Sequence, residues 1–312
     1  MDIEYLLWFQ NLRESTNNIF TPFMQGYSDF VVSVLAFAPL LIYWCINKRN
    51  GLYLFASLGM SRFLNGVLKL TFCVYRPWIR DPRIIPAEGS IKTAGGYSFP
   101  SGHTMNATPL LGGIGVICRK KYIWISFLCA LGIILTAISR NYLGVHTPQD
   151  VVVGTALGLL VLYVAAKIFN YVDKNNEKEN YFIILGLILC VIAFIYIKNK
   201  SYPMDYDSNG KIIVEPKKMI TNTYRDIGLF AGFLVGRYIE KTFIKFSPTG
   251  LNLKSILFLV IGCALYEYIH HGLDAVLKEF LGKDFGNFSA MFLMMFFAIA
   301  LWPFVLKKFF SR

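Results

Sequence analysis

Two cations at a helical spacing form the first group of residues suited to phosphate chemistry. Lys69 precedes Arg76 and Pro77 by about two turns of a helix. If the segment is helical, seven residues correspond to about 700° of rotation, so both cations lie on one face about 10 Å apart. A cation within an apolar stretch is costly and is a functional-site hypothesis. The alternative is that these side chains snorkel to lipid headgroups.

The second group is the tetrapeptide Pro100-Ser101-Gly102-His103, which opens another apolar stretch. Ser101 is a typical N-cap residue, and Gly102 lets backbone amides approach a ligand closely. Because the free amides of a helix N-terminus bind phosphate readily, His103 in the first turn would face the bound group. A phosphate-sized site and a histidine therefore coincide here.

The third group runs from Arg140 to Asp150. Thr147 is predicted to cap the next helix, with Pro148 as its first residue and Asp150 as the reciprocal capping acid. Capping alone would explain Asp150. In the functional interpretation the same carboxylate also contacts His146, fixing the proton on Nδ1 and leaving Nε2 as a nucleophile. Arg140 offers a planar fork suited to phosphate oxygens.

The composition shows which kind of structure must position these residues. The chain has 312 residues, of which 55% are hydrophobic and 16% charged, whereas a soluble domain has about 25% charged residues. Apolar runs long enough to cross about 30 Å of hydrocarbon recur along it. The net charge of +12 lies mainly in short loops, as membrane topology requires, which disfavours nucleic-acid binding. The six cysteines have no paired spacing, so neither a disulfide framework nor a metal site is predicted, and no cofactor is expected.

The apolar runs predict an all-α, polytopic transmembrane helical bundle. About nine spans are expected, at roughly 28–46, 51–72, 102–118, 121–140, 149–170, 181–198, 225–244, 253–274 and 286–306. The basic residues that follow spans 1, 3, 5, 7 and 9 then fall on one side, which the positive-inside rule makes cytoplasmic, whereas the outer loop at 73–101 carries Arg76, Arg80, Arg83 and Lys92. The N-terminus is accordingly outside and the C-terminus inside. All three groups of residues lie at the outer, extracytoplasmic ends of their spans.

Taken in order, the three groups resemble the three-part signature of the type 2 phosphatidic acid phosphatase superfamily. The resemblance covers about residues 60 to 155, including Ser139-Arg140. It implies a six-helix catalytic core, and the further C-terminal helices resemble the arrangement of glucose-6-phosphatases and sphingosine-phosphate phosphatases. It also implies that His146 is the nucleophile, that Asp150 orients it and that His103 protonates the leaving oxygen. The implied phosphate-binding residues are Lys69, Arg76, Ser101, Gly102 and Arg140.

The implied domains are an interfacial segment at 1–27, a catalytic membrane core at 28–198, a polar outer loop at 199–224 and accessory transmembrane helices at 225–312. The implied reaction is metal-independent hydrolysis of a lipid phosphate or diphosphate, such as polyprenyl diphosphate, phosphatidylglycerol phosphate or phosphatidate. A lipid phosphotransferase would use the same residues. A non-enzymatic anion or lipid transporter would need the cations but not the pair of His146 and Asp150. The composition favours a bacterial plasma membrane, and the oligomeric state is left open.

Overall fold

The computed structural model describes residues 2–207 and 209–310, so Met1, Ser208, Ser311 and Arg312 lie outside the described residues. The last two of these belong to the predicted accessory segment 225–312. The described chain is helical and contains no β-strand beyond an isolated bridge between Tyr206 and Ile212. The predicted all-α class is therefore confirmed.

The helices follow one another with short connections. In chain order they are α1 (Asp2–Ser15), α2 (Thr21–Ser33), α3 (Ala38–Leu41), α4 (Lys48–Phe72), α5 (Pro77–Arg80), α6 (Gly102–Cys118), α7 (Ile123–Tyr142), α8 (Pro148–Val172), α9 (Glu179–Asn199), α10 (Pro216–Ile239), α11 (Leu253–Phe296) and α12 (Trp302–Phe310). Short 3₁₀ turns lie at Leu35–Phe37, Ser90–Thr93 and Asn176–Lys178, and π-helical turns at Ile42–Ile46, Glu240–Ile244 and Phe297–Leu301.

Several helical segments have the length and apolar character that a membrane span needs. By these criteria the described residues contain five, namely Thr21–Ile46, Ile123–Tyr142, Pro148–Val172, Asn176–Asn199 and Leu253–Phe310. The predicted number of nine spans is not confirmed. The last two predicted spans belong to one segment, which departs from helical geometry at Gly282, where φ is 75°. The chain is nonetheless a polytopic helical membrane protein.

The chain divides into two compact units that are discontinuous in sequence. The first unit comprises Met1–Ala36, Leu64–Leu162 and Ser201–Met219, and the second comprises Phe37–Phe63, Tyr163–Lys200 and Ile220–Arg312. All residues of the three groups identified in the sequence belong to the first unit. That unit is therefore the part of the fold that positions the candidate site.

In the first unit, α6 and α7 pack along each other, and α2 packs against both of them. Small and branched side chains fill this contact, including Val31, Ala107 and Leu111. The N-terminal helix α1 packs on α7 and buries Phe9 among apolar residues near the end of α7. The buried Arg13 of α1 donates to the carbonyl oxygen of Tyr142 at 3.1 Å. These contacts fix α1 and α2 beside the end of α7.

In the second unit, α10 and α11 approach each other closely. A Cβ atom added at Gly228 or Gly232 would lie 2.2 or 2.3 Å from a backbone carbonyl oxygen of α11. Glycines four residues apart on a helix permit this contact, as in many membrane helix pairs. Tyr43 and Trp44 donate to carbonyl oxygens of the π-turn Phe297–Leu301, each at 2.9 Å. Side-chain donors thus use carbonyl groups that the π-turn leaves available.

Candidate active site

The end of α7 shows how the chain places its third group of residues. Gly144 has a φ of 71°, and its amide donates to the carbonyl of Asn141 at 2.9 Å. The amide of Val145 donates to the carbonyl of Arg140 at 3.2 Å. This pair of bonds is the Schellman termination, which needs a left-handed residue that glycine adopts without strain. The turn holds Arg140 in the last turn of α7 and brings His146 directly after it.

The start of α8 is capped as the sequence predicts. The Thr147 hydroxyl accepts from the Asp150 amide at 3.3 Å, and Asp150 Oδ2 accepts from the Thr147 amide at 2.9 Å. Asp150 Oδ2 also accepts from the hydroxyl of Ser98 at 2.5 Å. The carbonyl of Asp150 accepts from the amide of Ser101 at 3.0 Å. This backbone bond joins the beginning of α8 to the beginning of α6.

Each ring nitrogen of the buried His146 faces a charged group. Nδ1 lies 3.3 Å from Asp150 Oδ2, and Nε2 lies 2.8 Å from Arg76 Nη1. Because a guanidinium can only donate, Nε2 accepts, and the ring proton therefore resides on Nδ1 facing Asp150. Burial, and secondarily the charge of Arg76, hold the pKa of His146 well below its ordinary value, although Asp150 acts in the opposite direction. The imidazole is therefore neutral at pH 7, with its basic lone pair on Nε2.

Arg76 reaches His146 by a route that the sequence did not predict. The expectation that Lys69 and Arg76 share one helix face is wrong, because α4 ends at Phe72 and Arg76 is extended, with φ −65° and ψ 154°. The physical reason is Pro77, which disfavours helical geometry in the preceding residue. Arg76 donates to the carbonyls of Val145 at 2.8 Å, Gly96 at 3.1 Å and Gly95 at 3.2 Å.

Lys69 lies in the last turn of α4 and is buried. Its Nζ donates to the carbonyl oxygens of Tyr97 at 2.7 Å and Ser98 at 3.0 Å. One turn earlier, Asn65 Nδ2 donates to the carbonyl of Pro100 at 3.3 Å. The polar face of α4 therefore anchors the segment that leads into α6, and its cation lies beside that segment.

The first turn of α6 contains the second group of residues. Ser101 is the N-cap, and its hydroxyl accepts from the amide three residues later at 3.5 Å, which confirms the predicted cap. Gly102 is the first helical residue, and a Cβ atom added there would lie 3.2 Å from a side-chain oxygen of α4. His103 follows it, and its Nε2 lies 3.4 Å from Asp29 Oδ1 of α2.

Arg140 is fully buried, yet part of its guanidinium has no protein partner. Nη1 donates to the Ser28 hydroxyl at 3.0 Å. Nε and Nη2 are buried without a hydrogen-bond partner among the described residues. Leaving a buried charged donor without an acceptor is costly. The two unused donors therefore fit an anion with several oxygens, such as a phosphoryl group.

The charges of all three groups act on one another. Lys69, Arg76 and Arg140 are buried, as is Asp150. Arg76 interacts electrostatically with Arg140 and with Asp150, and Lys69 interacts with Arg76. The charges of Arg140 and Arg76 both act on His103. The structure thus brings the predicted residues together around an excess of buried positive charge, which a bound anion would compensate.

Four further side chains contribute contacts that were not predicted from the sequence. They are Ser28 and Asp29 on α2, Ser98 before α6, and Asn141, whose Nδ2 donates to the carbonyl of His146 at 2.9 Å. Ser98 adjoins the second group and Asn141 lies within the third, and that proximity is a usable sequence signal. No local sequence pattern links Ser28 and Asp29 of α2 to the site, because their partners are more than seventy residues away.

The hydrogen bond from Ser98 allows a direct test of the environment of the Asp150 carboxylate. In Ser98→Ala, Asp150 loses a hydrogen bond of 2.5 Å from a hydroxyl. A hydrogen bond to a charged group contributes about 1.5–3 kcal/mol, so we expect turnover of a phosphate substrate to fall by about 10- to 100-fold. Ser98→Thr, which keeps the hydroxyl, serves as the matched control. Unchanged turnover in the alanine variant would show that this bond does not support the reaction.

A second set of ionisable side chains lies in the second unit. Glu267, His270 and His271 have ligand atoms within 4.8 Å of one another, as a metal site requires. However, Arg225 Nη2 lies 3.0 Å from His270 Nε2, so this nitrogen accepts and the ring proton lies on Nδ1. Nδ1 is 3.6 Å from Glu267, and His271 is 3.2 Å from the same carboxylate. The contacts therefore describe a network of polar side chains that includes Arg225.

Comparison with known families defines the class of protein. Residues 50–174 match the PAP2 superfamily, and residues 224–311 match the PAP2 superfamily phosphatase transmembrane extension. The chain belongs to the PAP2 superfamily. It is an integral membrane phosphatase with the transmembrane extension, in agreement with the resemblance found in the sequence.

Individual relatives agree with this class. The chain is 30% identical to phosphatidylglycerophosphatase B of Bacillus subtilis, over 49% of this chain and 74% of the relative. It is 36% identical to a lipid A 4'-phosphatase of Bacteroides thetaiotaomicron, over 51% of this chain and 72% of the relative. It is 28% identical to an undecaprenyl-diphosphatase of Sulfolobus acidocaldarius, over 49% and 71% respectively. No solved structure matches the chain significantly.

Proposed function

We propose that this protein hydrolyses a lipid phosphate or diphosphate through a phosphohistidine on His146. The observation that carries the proposal is the environment of His146, a neutral imidazole whose Nδ1 faces Asp150 and whose Nε2 lies 2.8 Å from Arg76. The unused donors of Arg140 support a phosphoryl ligand at the same place. A transporter would need the cations, but it would have no use for a histidine held in this tautomer.

In the first step, the lone pair of His146 Nε2 attacks phosphorus and the bond from phosphorus to the leaving oxygen breaks. Arg76 exchanges its contact with Nε2 for phosphoryl oxygens, and Lys69 and Arg140 bind the others. Such positioned cations stabilise the charge of the transition state, which is where most of the catalysis of phosphoryl transfer originates. His103 gives a proton to the leaving oxygen, so that the lipid departs as an alcohol or as a lipid phosphate.

In the second step, water attacks the phosphohistidine. His103 accepts a proton from the water, the bond between phosphorus and Nε2 breaks, and inorganic phosphate is released. While the ring is phosphorylated it carries a positive charge, which Asp150 stabilises through Nδ1–H. The two imidazoles thus divide the nucleophilic and the acid–base roles. The Ser101 hydroxyl and the Gly102 amide at the start of α6 would bind phosphoryl oxygens.

The proposed location is the extracytoplasmic face of a bacterial plasma membrane. The site lies at the first turn of α6 and the last turn of α7, whereas the basic residues Arg119, Lys120 and Lys121 lie at the opposite ends of these helices. The positive-inside rule places those basic residues in the cytoplasm. The N-terminus is then outside and the C-terminus inside. Lipid phosphates are proposed as substrates because the named relatives act on such lipids.

The proposal is tested with purified protein in detergent and a panel of phosphate esters. The panel contains phosphatidylglycerol phosphate, undecaprenyl diphosphate, a lipid A 4'-phosphate, phosphatidate and glucose 6-phosphate. We expect phosphate release from at least one lipid, about tenfold or more above the sugar phosphate in kcat/KM, and inhibition by orthovanadate. Repeating the assay with an acceptor lipid detects phosphotransfer. Absence of release from every lipid would overturn the proposal.

A further inference from the structure

Two adjacent polar residues of α2 enter the candidate active site from outside the three motifs. Ser28 is fully buried, and Asp29 is partly buried. Both lie outside the family match that begins at residue 50. Each contacts a residue of a different motif, since Ser28 meets Arg140 and Asp29 meets His103. Helix α2 packs against α6 and α7, the helices that carry those partners.

The contact of Asp29 with His103 parallels the one that orients His146. Asp29 Oδ1 lies 3.4 Å from His103 Nε2, and Asp150 Oδ2 lies 3.3 Å from His146 Nδ1. In each pair a carboxylate contacts one ring nitrogen, and the other ring nitrogen is not held by that carboxylate. The remaining charges that act on His103 come from Arg140 on α7 and from Arg76, and both are positive. Of these charges, Asp29 supplies the one that favours an imidazolium.

The contact of Ser28 with Arg140 has a defined direction. The Ser28 hydroxyl donates to the carbonyl of Gln25 at 3.1 Å and accepts from Arg140 Nη1 at 3.0 Å. Because the hydroxyl proton is engaged by the helix, its lone pairs face the guanidinium. One arm of the guanidinium is thereby fixed, while Nε and Nη2 are left for another acceptor.

We propose that Ser28 and Asp29 are positioning residues of this phosphatase, in which Asp29 orients His103 as the proton donor to the leaving oxygen and Ser28 holds the Arg140 fork toward the phosphoryl group. This inference rests on the proposed function. It adds a fourth element to the site, supplied by α2, which the motifs do not include. The two residues have separable consequences, because one acts on proton transfer and the other on phosphate binding.

The test of Asp29 compares Asp29→Asn with Asp29→Glu, using Glu88→Gln as a matched change of an exposed acid. A general acid must be protonated, and removal of the carboxylate makes imidazolium lose its proton at lower pH. The alkaline limb of the kcat/KM profile should therefore move to lower pH in Asp29→Asn. At pH 7.5 we expect kcat/KM for the lipid to fall by about 10- to 100-fold. Asp29→Glu should restore most of both properties.

Comparing substrates with different leaving groups distinguishes a role of Asp29 in proton transfer from a merely structural role. p-Nitrophenolate departs without protonation, so kcat/KM for p-nitrophenyl phosphate should change by less than about threefold in Asp29→Asn. Ser28→Ala should instead raise KM and the inhibition constants of phosphate and vanadate by about 3- to 10-fold, while its alkaline limb stays at the wild-type pH. Thermal unfolding in detergent reports the integrity of each variant, and Asp29→Ser gives the same comparison if Asp29→Asn does not fold.

The results of these experiments distinguish failure of the roles of Ser28 and Asp29 from failure of the proposed function. If the wild-type protein releases no phosphate, or if release does not depend on His146, the proposed function fails. If the wild type is active through His146 but Asp29→Asn keeps the wild-type alkaline limb, the role of Asp29 is overturned. Equal losses on the lipid and on p-nitrophenyl phosphate would overturn it too. Unchanged affinities in Ser28→Ala would overturn the role of Ser28.

Discussion

Replacing His146 with glutamine should reduce phosphate release by about four orders of magnitude or more. Loss of the nucleophile in a comparable covalent mechanism costs about 10⁶-fold. Glutamine is polar and similar in size, and its amide can still meet Arg76, which is 2.8 Å from the imidazole nitrogen. It cannot form a phosphoryl intermediate, since an amide lacks a basic nitrogen lone pair. The loss should therefore appear in kcat, with substrate binding largely retained.

The measurement is phosphate release with the best lipid of the panel, together with trapping of the enzyme. Rapid denaturation in alkali during turnover should leave a phosphoryl label on the wild type, because phosphohistidine is stable in alkali, and no label on His146→Gln. His271→Ala is the matched control, since that histidine is exposed and lies in the second unit. Residual activity above about 1% in a folded His146→Gln would exclude the nucleophilic role.

The sequence predicts best where short-range physical chemistry decides the structure. The caps formed by Ser101 and by Thr147 with Asp150 involve groups three residues apart, so residue types at fixed offsets are sufficient to find them. The turn after α7 similarly depends on Gly144. These local signals place His103 and His146 at helix starts, and the order of the motifs brings them to the same end of the bundle.

Arg76 shows where a periodicity argument fails. Seven residues after Lys69 would complete two helical turns, yet the helix ends at Phe72. The following residue, Cys73, has a positive φ of 50°, and Arg76 itself is extended before its proline. The cation still reaches the site, but it does so from a loop, where it binds three backbone carbonyls. The residue type therefore indicated a phosphate-binding cation, whereas the prediction that Arg76 lies on the same helix as Lys69 was wrong.

Contacts between distant segments account for what the sequence did not predict. Ser98 meets Asp150 across fifty-two residues, and Asp29 meets His103 across seventy-four. Such pairs depend on how α2, α4 and α8 pack around α6, which no local pattern encodes. The span predicted at 102–118 coincides with α6, but at 17 residues this helix is shorter than the five apolar segments long enough to cross a membrane.

Asp150→Asn should lower kcat by about 10³- to 10⁴-fold while the protein remains folded. The carboxylate oxygen accepts from Ser98, from the Thr147 amide and from His146 Nδ1. All three contacts involve Oδ2, so an asparagine oxygen at this position can keep both the cap of α8 and the hydrogen bond from Nδ1, but it lacks the negative charge. The positive charge that the ring acquires as Nε2 attacks phosphorus is then no longer compensated. Loss of the acid in a serine protease triad costs about 10⁴-fold in kcat.

The contact on the other side of the ring also holds the tautomer. A proton on His146 Nε2 would face Arg76 Nη1, another donor, at 2.8 Å. Asp150→Asn should therefore keep the tautomer, and vanadate binding should weaken together with kcat because the positively charged ring loses its counter-charge. Asp173→Asn is the matched control, since this exposed acid lies beyond the other end of α8 and pairs with Arg49. A folded Asp150→Asn protein with kcat within tenfold of the wild type would contradict the proposed role of Asp150, because the positive charge of the phosphorylated ring would then not depend on the carboxylate.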